Sequence, residues 1–292
     1  MRKIVLFLAI FFLALINANP CYAIKIGIIT NSSQIGVGSS KETSLIDANT
    51  NKTICKIDAM KGYEIIPYKN KMAIRLNGKF YEIKSDNIVL KPAKDGFVNA
   101  KRKWYRGFLM IQNRNNKLTV INNVELEDYI RGVVPSEMPS GWEIEALKAQ
   151  AIAARSYALA NLGKRASMGF DLKDTPEDQA YGGASAETAK TNMAVEQTAK
   201  IVLTYNYKVV SAYYSASAGG QTISAKDVWG ADVPYIRSSV PSYDGNVKKN
   251  GHGVGMSQHG ANNLAKDGYN AYQILQYFYK NVKFAKATEH KG

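Results

Sequence analysis

Cysteine is nearly missing from this chain: 292 residues include two, Cys21 and Cys55. Cys21 lies in a stretch with the marks of a removable leader, so the expected mature chain keeps Cys55 alone and cannot close an internal disulfide. A disulfide-stapled fold is excluded, and the lone thiol is given no role. Histidine is almost as scarce, at three. His252 and His259 stand seven apart with no cysteine nearby, and His290 is in the tail, which matches no zinc spacing. No G-x-S-x-G occurs, so the nucleophile elbow of a serine hydrolase is absent. Carboxylates are outnumbered, 24 against 38 Lys and Arg, for a net charge of +14. After the first residues no apolar run is long enough to span a bilayer as a helix.

The leader covers residues 1–23. Arg2 and Lys3 form a positive start, residues 4–16 an apolar core too short for a comfortable span, and Cys21-Tyr22-Ala23 a small-residue cleavage site. A lipoprotein reading of Cys21 is weak, because Asn19 and Pro20 replace the small residues it needs. Cleavage after Ala23 leaves 269 of the 292 residues and removes Arg2 and Lys3, so the net charge falls from +14 to +12. Such a chain makes one large domain or two small ones. The expected location is extracytoplasmic, secreted or at the cell envelope. Strong positive charge there points to a polyanion. No nucleic-acid motif is present, which leaves cell-wall polymers or anionic membrane surfaces.

What is there reads as α+β, with a β-rich N-terminal half packed against a mixed helix and strand core. Short β runs occupy 24–29, 53–57, 63–68, 71–76, 79–83, 108–112 and 117–121. Asn77-Gly78 is a hairpin signal, and 113–116 joins another pair. Residues 186–200 read as a helix, 201–205 and 208–214 as a hairpin across Asn206-Tyr207, and 272–279 as a last helix with an aromatic face. The boundaries expected are a leader at 1–23, a β-rich region at 24–100, a core at 101–284 and a flexible tail at 285–292.

The stretch around which the rest is organised is 127–162. Pro135 and Pro139 bracket Glu137, which places it in a turn outside any helix interior. Ser140 and Glu143 match a capping box. Behind them Ile144, Leu147, Ala151, Ala154, Ala158 and Leu162 recur at helical spacing, with Gly163 as a stop. Taken on spacing alone, Glu137 is more simply a surface carboxylate in a turn than a catalyst.

Four blocks in order, EDYIRGVVPSEMP, EALKAQAIAARSYAL, SAYYSASAGGQT and GHGVGMSQHGA, resemble the sporulation stage II protein D/LytB (SpoIID/LytB) family across about 26–284. The resemblance implies a SpoIID-type catalytic core at 101–284 and a lytic transglycosylase of peptidoglycan, acting on glycan strands stripped of stem peptides. It implies that Glu137, the glutamate of the EMP motif, is the acid. A single carboxyl suffices for that chemistry, because the muramic 6-hydroxyl attacks the anomeric carbon in place of water. Zinc-binding members place a cysteine before the Tyr-Gly pair. Here 176–182 holds neither Cys nor His, so no metal or other cofactor is expected. The connection at 237–250 is short, which puts one wall of a substrate groove in question. A different reading is a non-catalytic wall binder that stimulates a separate amidase.

The remaining candidates are substrate-binding residues. Arg155, deep in an alanine-rich helix, orients Glu137, holds a lactyl carboxylate, or pairs with Asp128. Tyr157 and Tyr181 stack on sugars or pack in the core. Ser217 lies in the third block. His252, between glycines, donates to a sugar hydroxyl or N-acetyl carbonyl, or forms a turn. Ser257 and Gln258 offer sugar-type donors and acceptors at a helix start. His259 is expected to be structural, Glu143 to be a cap residue and Glu145 to face solvent.

Overall fold

The computed structural model describes residues 23–237 and 239–287. Residues 1–22 of the leader, and the tail from 288, lie outside the described residues. Two sheets carry the N-terminal half. The larger has seven strands in the order Leu172–Lys173, Ala23–Ser32, Lys117–Glu125, Phe108–Arg114, Asn87–Lys91, Thr43–Asp47, Thr53–Ile57. All its pairs are antiparallel except the first. The second has six, in the order Lys103–Tyr105, Val98–Ala100, Ile35–Ser39, Gly62–Tyr68, Lys71–Leu76, Lys79–Ile83. The seven-stranded sheet draws strands from both sides of residue 100, so the two halves share backbone hydrogen bonds.

The hairpins show why. Asn77-Gly78, Asn115-Asn116 and Asn206-Tyr207 all hold positive φ at both positions, as tight hairpins with two-residue loops require. Lys69-Asn70 and Lys101-Arg102 do the same, although lysine and arginine carry no such signal in sequence. The strands at 35–39, 43–47, 87–91, 98–100 and 103–105 were not expected. Gly36, Gly38 and Ser39 are poor strand formers, and tertiary pairing decides their conformation.

The helices are α1 (Leu126–Glu137), α2 (Ile144–Ala160), α3 (Ala189–Gln197), α4 (Ala225–Trp229), α5 (Gln258–Lys266) and α6 (Ala271–Phe278). Helix α2 is buried on all sides. Its alanines let neighbours approach closely, and α1, α3, α5, α6 and the strand Ile201–Tyr205 pack around it. That strand lies between Lys208–Val209 and Lys283–Lys286. The chain at 285–286 is therefore paired in a sheet, where a flexible tail was expected.

Three local expectations are corrected. Pro135 and Glu137 lie inside α1. The helix tolerates Pro135 so near its end because the Met138 N–H still closes the last turn on the Val134 carbonyl at 3.0 Å, and Ser136 Oγ donates to the Gly132 carbonyl at 2.8 Å. The Ser140/Glu143 capping box does not form. Glu143 is itself the cap residue, without a side-chain bond, and its N–H donates to Asn262 Oδ1 at 2.9 Å. Glu145 is not simply solvated: it accepts from the Ala271 N–H at 2.8 Å and from Lys148 Nζ at 2.6 Å.

Candidate active site

Glu137 is the last residue of α1 and opens onto a cleft of about 550 Å³. Its carboxylate is held by neutral donors. The Ala180 N–H reaches Oε1 at 2.7 Å, the Tyr214 hydroxyl reaches Oε1 at 3.4 Å, and Gln258 Nε2 reaches Oε2 at 3.4 Å. Burial pushes the carboxyl above the usual glutamate range, and these three donors pull it only part of the way back. The C-terminal end of α1 also disfavours negative charge there.

A chain of polar groups orients the site. Gln179 Nε2 donates to the Tyr214 hydroxyl at 2.8 Å and to the Ala154 carbonyl at 3.3 Å, while its Oε1 accepts from the Tyr129 hydroxyl at 3.2 Å. Since Tyr214 already accepts from Gln179, its own proton points to Glu137. Burial holds the Tyr214 phenol far above its ordinary pKa, so it stays a donor. Helix α2 thus contributes through the backbone of Ala154, and the loop at 174–182 through Gln179 and Ala180.

Two other carboxylates line the cleft, Glu177 and Asp178. Asp178 is clasped by Arg165 at 3.1 and 3.2 Å, by Lys164 at 2.7 Å and by the Lys173 N–H at 2.8 Å. Glu177 is paired with Lys173 at 2.6 Å. Among the described residues, Glu137 is therefore the one cleft-lining carboxyl without a cationic partner. No group of three or more His, Cys, Asp or Glu among the described residues is arranged to hold a metal ion.

The expected site residues divide evenly. Glu137, Tyr157, His252 and Gln258 all line the cleft. Burial and nearby Lys249 lower the His252 pKa, and its Nδ1 accepts from the Val254 N–H at 2.9 Å. Arg155 does not reach the cleft. It is fully buried and meets Glu127, not Asp128, in a two-bonded fork of 2.8 Å each, with a further bond to the Ile201 carbonyl at 3.0 Å. Tyr181 packs between Tyr105 and Tyr129, its hydroxyl on Asn122 Oδ1 at 2.8 Å. Ser217 is buried and donates to the Lys248 carbonyl. Ser257 caps α5 by accepting from the Gly260 N–H at 3.1 Å. His259 lies edge-on to Trp142, centroids 4.8 Å apart.

Ser257 also donates to Asp244, which sequence reading missed. Asp244 is 2 % exposed. It accepts from the Ala218 and Gly219 N–H groups at 2.7 Å each, from Gly220 at 3.4 Å and from Ser242 Oγ at 2.7 Å. Gly219 and Gly220 have φ of +74° and +104°, which turns successive N–H groups toward one anion. The short connection thus ties the third block to the fourth. Between them Tyr214–Ser215 pairs in parallel with Met256–Ser257, which sets Tyr214 and Gln258 on the same carboxyl. Tyr214 sits inside a block quoted from the sequence, yet two adjacent tyrosines give no signal as to which one faces the acid.

Gly255 permits that pairing. Its φ is +75°, and a Cβ there would stand 2.0 Å from the Tyr213 carbonyl oxygen. Gly255→Ala is expected to cost about 3 kcal/mol or more of stability, measured by urea unfolding. A loss under about 0.5 kcal/mol would show that the loop adapts.

A family model, Stage II sporulation protein (SpoIID), matches residues 114–205. An uncharacterised protein of Brachyspira hyodysenteriae is 35 % identical over 196 residues, 67 % of this chain and 49 % of its own length. The amidase enhancer of Bacillus subtilis is 43 % identical over 115 residues, 39 % of this chain and 15 % of its own. Stage II sporulation protein D of Bacillus subtilis is 28 % identical over 261 residues, 57 % of this chain and 76 % of its own. The aligned region thus spans about half of the Brachyspira relative and a small part of the enhancer.

Proposed function

The chain belongs to the SpoIID/LytB family, and from that premise we propose that it is an extracytoplasmic lytic transglycosylase of cell-wall glycan. Kinship with the amidase enhancer and the sporulation proteins supports a role at the cell wall. The observation that carries the finer reading is Glu137: a carboxyl lifted by burial, held by three neutral donors, with every other cleft carboxylate engaged by a cation. Two-carboxylate hydrolysis needs a second free acid or base to activate water or attack the sugar. A transglycosylase needs one group that gives a proton and takes another back.

In this reading the protonated Glu137 donates to the glycosidic oxygen as the bond to the muramic anomeric carbon breaks. The sugar's own 6-hydroxyl attacks that carbon and closes a 1,6-anhydro ring, and the Glu137 carboxylate accepts the hydroxyl proton. Because the attack is intramolecular, positioning supplies much of the rate. Tyr214, Gln258 and the Ala180 N–H steady the carboxylate during the half of the cycle in which it is charged. Denuded glycan strands incubated with the purified protein and a chelator are expected to yield anhydro-muramic ends, read by mass spectrometry. Reducing-end muramic acid as the sole product would replace this reading with hydrolysis.

Identity to the amidase enhancer favours a second reading, a glycan binder that stimulates an N-acetylmuramoyl-L-alanine amidase. It predicts strand binding and faster amidase turnover with no anhydro product from any variant. In neither reading is nucleic acid a partner. Among the described residues no helix is long and apolar enough to cross a membrane.

A further inference from the structure

One buried group beside Glu137 takes no part in the chemistry above. Gln150 lies on α2 and is fully buried. The alanines around it let α5 pack against α2, and Gln258, the first residue of α5, meets it there. Gln258 Nε2 spends one hydrogen on Glu137 Oε2 and the other on Gln150 Oε1, both at 3.4 Å. The amide nitrogen of Gln150 finds no acceptor among the described residues. A buried NH₂ without an acceptor is costly and uncommon. This arrangement suits Glu137 only while it is a carboxylate.

An acid must begin protonated. Oε1 already accepts from the Ala180 N–H and the Tyr214 hydroxyl, so the proton belongs on Oε2. There it faces the Gln258 NH₂, donor against donor. The oxygen and nitrogen of a carboxamide differ little in size, so turning the amide over needs no extra room. Turned over, Gln258 presents its oxygen to the Glu137 proton. That oxygen then faces the Gln150 oxygen, acceptor against acceptor, unless Gln150 turns as well. When it does, its nitrogen donates to Gln258 and gains the partner it lacked.

We infer that Gln150 and Gln258 turn over together as Glu137 gains and loses its proton, so that Oε2 meets an acceptor before the proton leaves and a donor afterwards. Gln150 is then a positioning residue that acts on Glu137 through Gln258. The inference deepens the reading of Glu137 as the acid and rests on it. It also has a direction. With Glu137 charged, the buried group left over is the Gln150 nitrogen; with Glu137 protonated, it is the Gln150 oxygen, the less costly of the two to leave alone. Gln150 therefore favours the protonated acid. The other titratable groups around Glu137 are separable from it. Burial lifts the phenols of Tyr129, Tyr157 and Tyr214, Glu177 and Asp178 are ion-paired, and His259 turns to Trp142. His252, its pKa lowered by burial and by Lys249, is the group to control for.

The test follows the amides themselves by nuclear magnetic resonance of isotope-labelled protein without substrate. The side-chain NH₂ signals of Gln150 and Gln258, assigned through the carbons of each side chain, are expected to move with pH at one shared midpoint, that of the Glu137 carboxyl carbon. In Glu137→Gln the movement should vanish. Gln150→Met keeps the length of the side chain and removes its hydrogen bonds. It should draw the alkaline limb of glycan cleavage down by about one pH unit, whereas a merely structural glutamine would lower activity equally at every pH. Should Gln150→Met fail to fold, the titration of the parent decides alone. Gln150 signals that stay still while the Glu137 carbon titrates overturn the inference. So does movement that persists in Glu137→Gln, which would assign it to His252. Still amides in a protein that releases anhydro ends remove this inference and leave the acid in place. Amides that move together in a protein that cuts no glycan keep the pair and remove the transglycosylase.

Discussion

Glu137→Gln is expected to lower glycan cleavage by about 10²–10⁴-fold, the usual worth of general acid and base assistance, with the melting temperature close to that of the parent. The glutamine keeps an oxygen for the Ala180 N–H, the shortest of the three bonds at 2.7 Å, so the end of α1 is undisturbed. Glu143→Gln is the control, because Glu143 makes no side-chain cap bond and should leave cleavage nearly unchanged. The pH profile follows from the same carboxyl. Catalysis starts from the protonated acid, so activity is lost as pH rises through the Glu137 pKa. Burial holds that pKa above the ordinary glutamate value, which extends activity upward. Tyr214→Phe removes a bond that favours the carboxylate. The pKa should rise further and the alkaline limb should move to higher pH, whereas a merely structural tyrosine would lower activity at all pH values alike. Full cleavage by Glu137→Gln would place the acid elsewhere.

Asp244→Asn is expected to lower stability by about 3–5 kcal/mol, because a buried carboxylate with several donors becomes an amide whose NH₂ faces N–H groups. The same variant should impair cleavage, since the strand that positions Tyr214 and the start of α5 that positions Gln258 both hang on this residue. The pH dependence has a definite sign. Hydrogen bonds from Ser257, Ser242 and the backbone outweigh burial and hold the Asp244 pKa below its ordinary value. Its contribution is therefore present in full above the unfolded-state pKa and is lost as pH falls through the folded one. Acid unfolding of the parent should steepen below about pH 4, and Asp244→Asn should flatten that part of the curve. Identical acid curves for the two proteins would show that Asp244 is no anchor. Asp244→Ser, which removes both the charge and the opposed amide, separates lost hydrogen bonds from donor repulsion.

Much of the local structure was legible before any coordinates. The runs at 53–57, 71–76 and 79–83 match strands end to end, because alternation and Asn-Gly turn chemistry act over a few residues. The alanine-rich helix was equally plain. Of the site, Glu137, His252, Gln258 and Tyr157 were named from their blocks and all line one cleft. Arg155, Ser217 and Ser257 were named in the same way, Tyr181 from outside the blocks, and all four turn elsewhere. A motif marks which residues matter and not whether they serve the cleft or the frame around it. Arg155 illustrates this: an arginine amid alanines must find a carboxylate, but only packing selects Glu127 over Asp128.

The sequence by itself determined the α+β character, the hairpins with asparagine turns, the central helix and the motif glutamate, all of which depend on neighbours within a turn or two. The tertiary structure decided what depends on residues far apart in the chain. It placed Glu137 within a helix despite Pro135, and it brought Ala180, Tyr214 and Gln258 onto one carboxyl across 43, 77 and 121 residues. It also buried Asp244 in a nest of N–H groups from another loop. Hydrogen bonds of that kind are fixed by how strands and helices pack, and no periodicity or turn signal in the chain encodes which partner a buried polar group will meet.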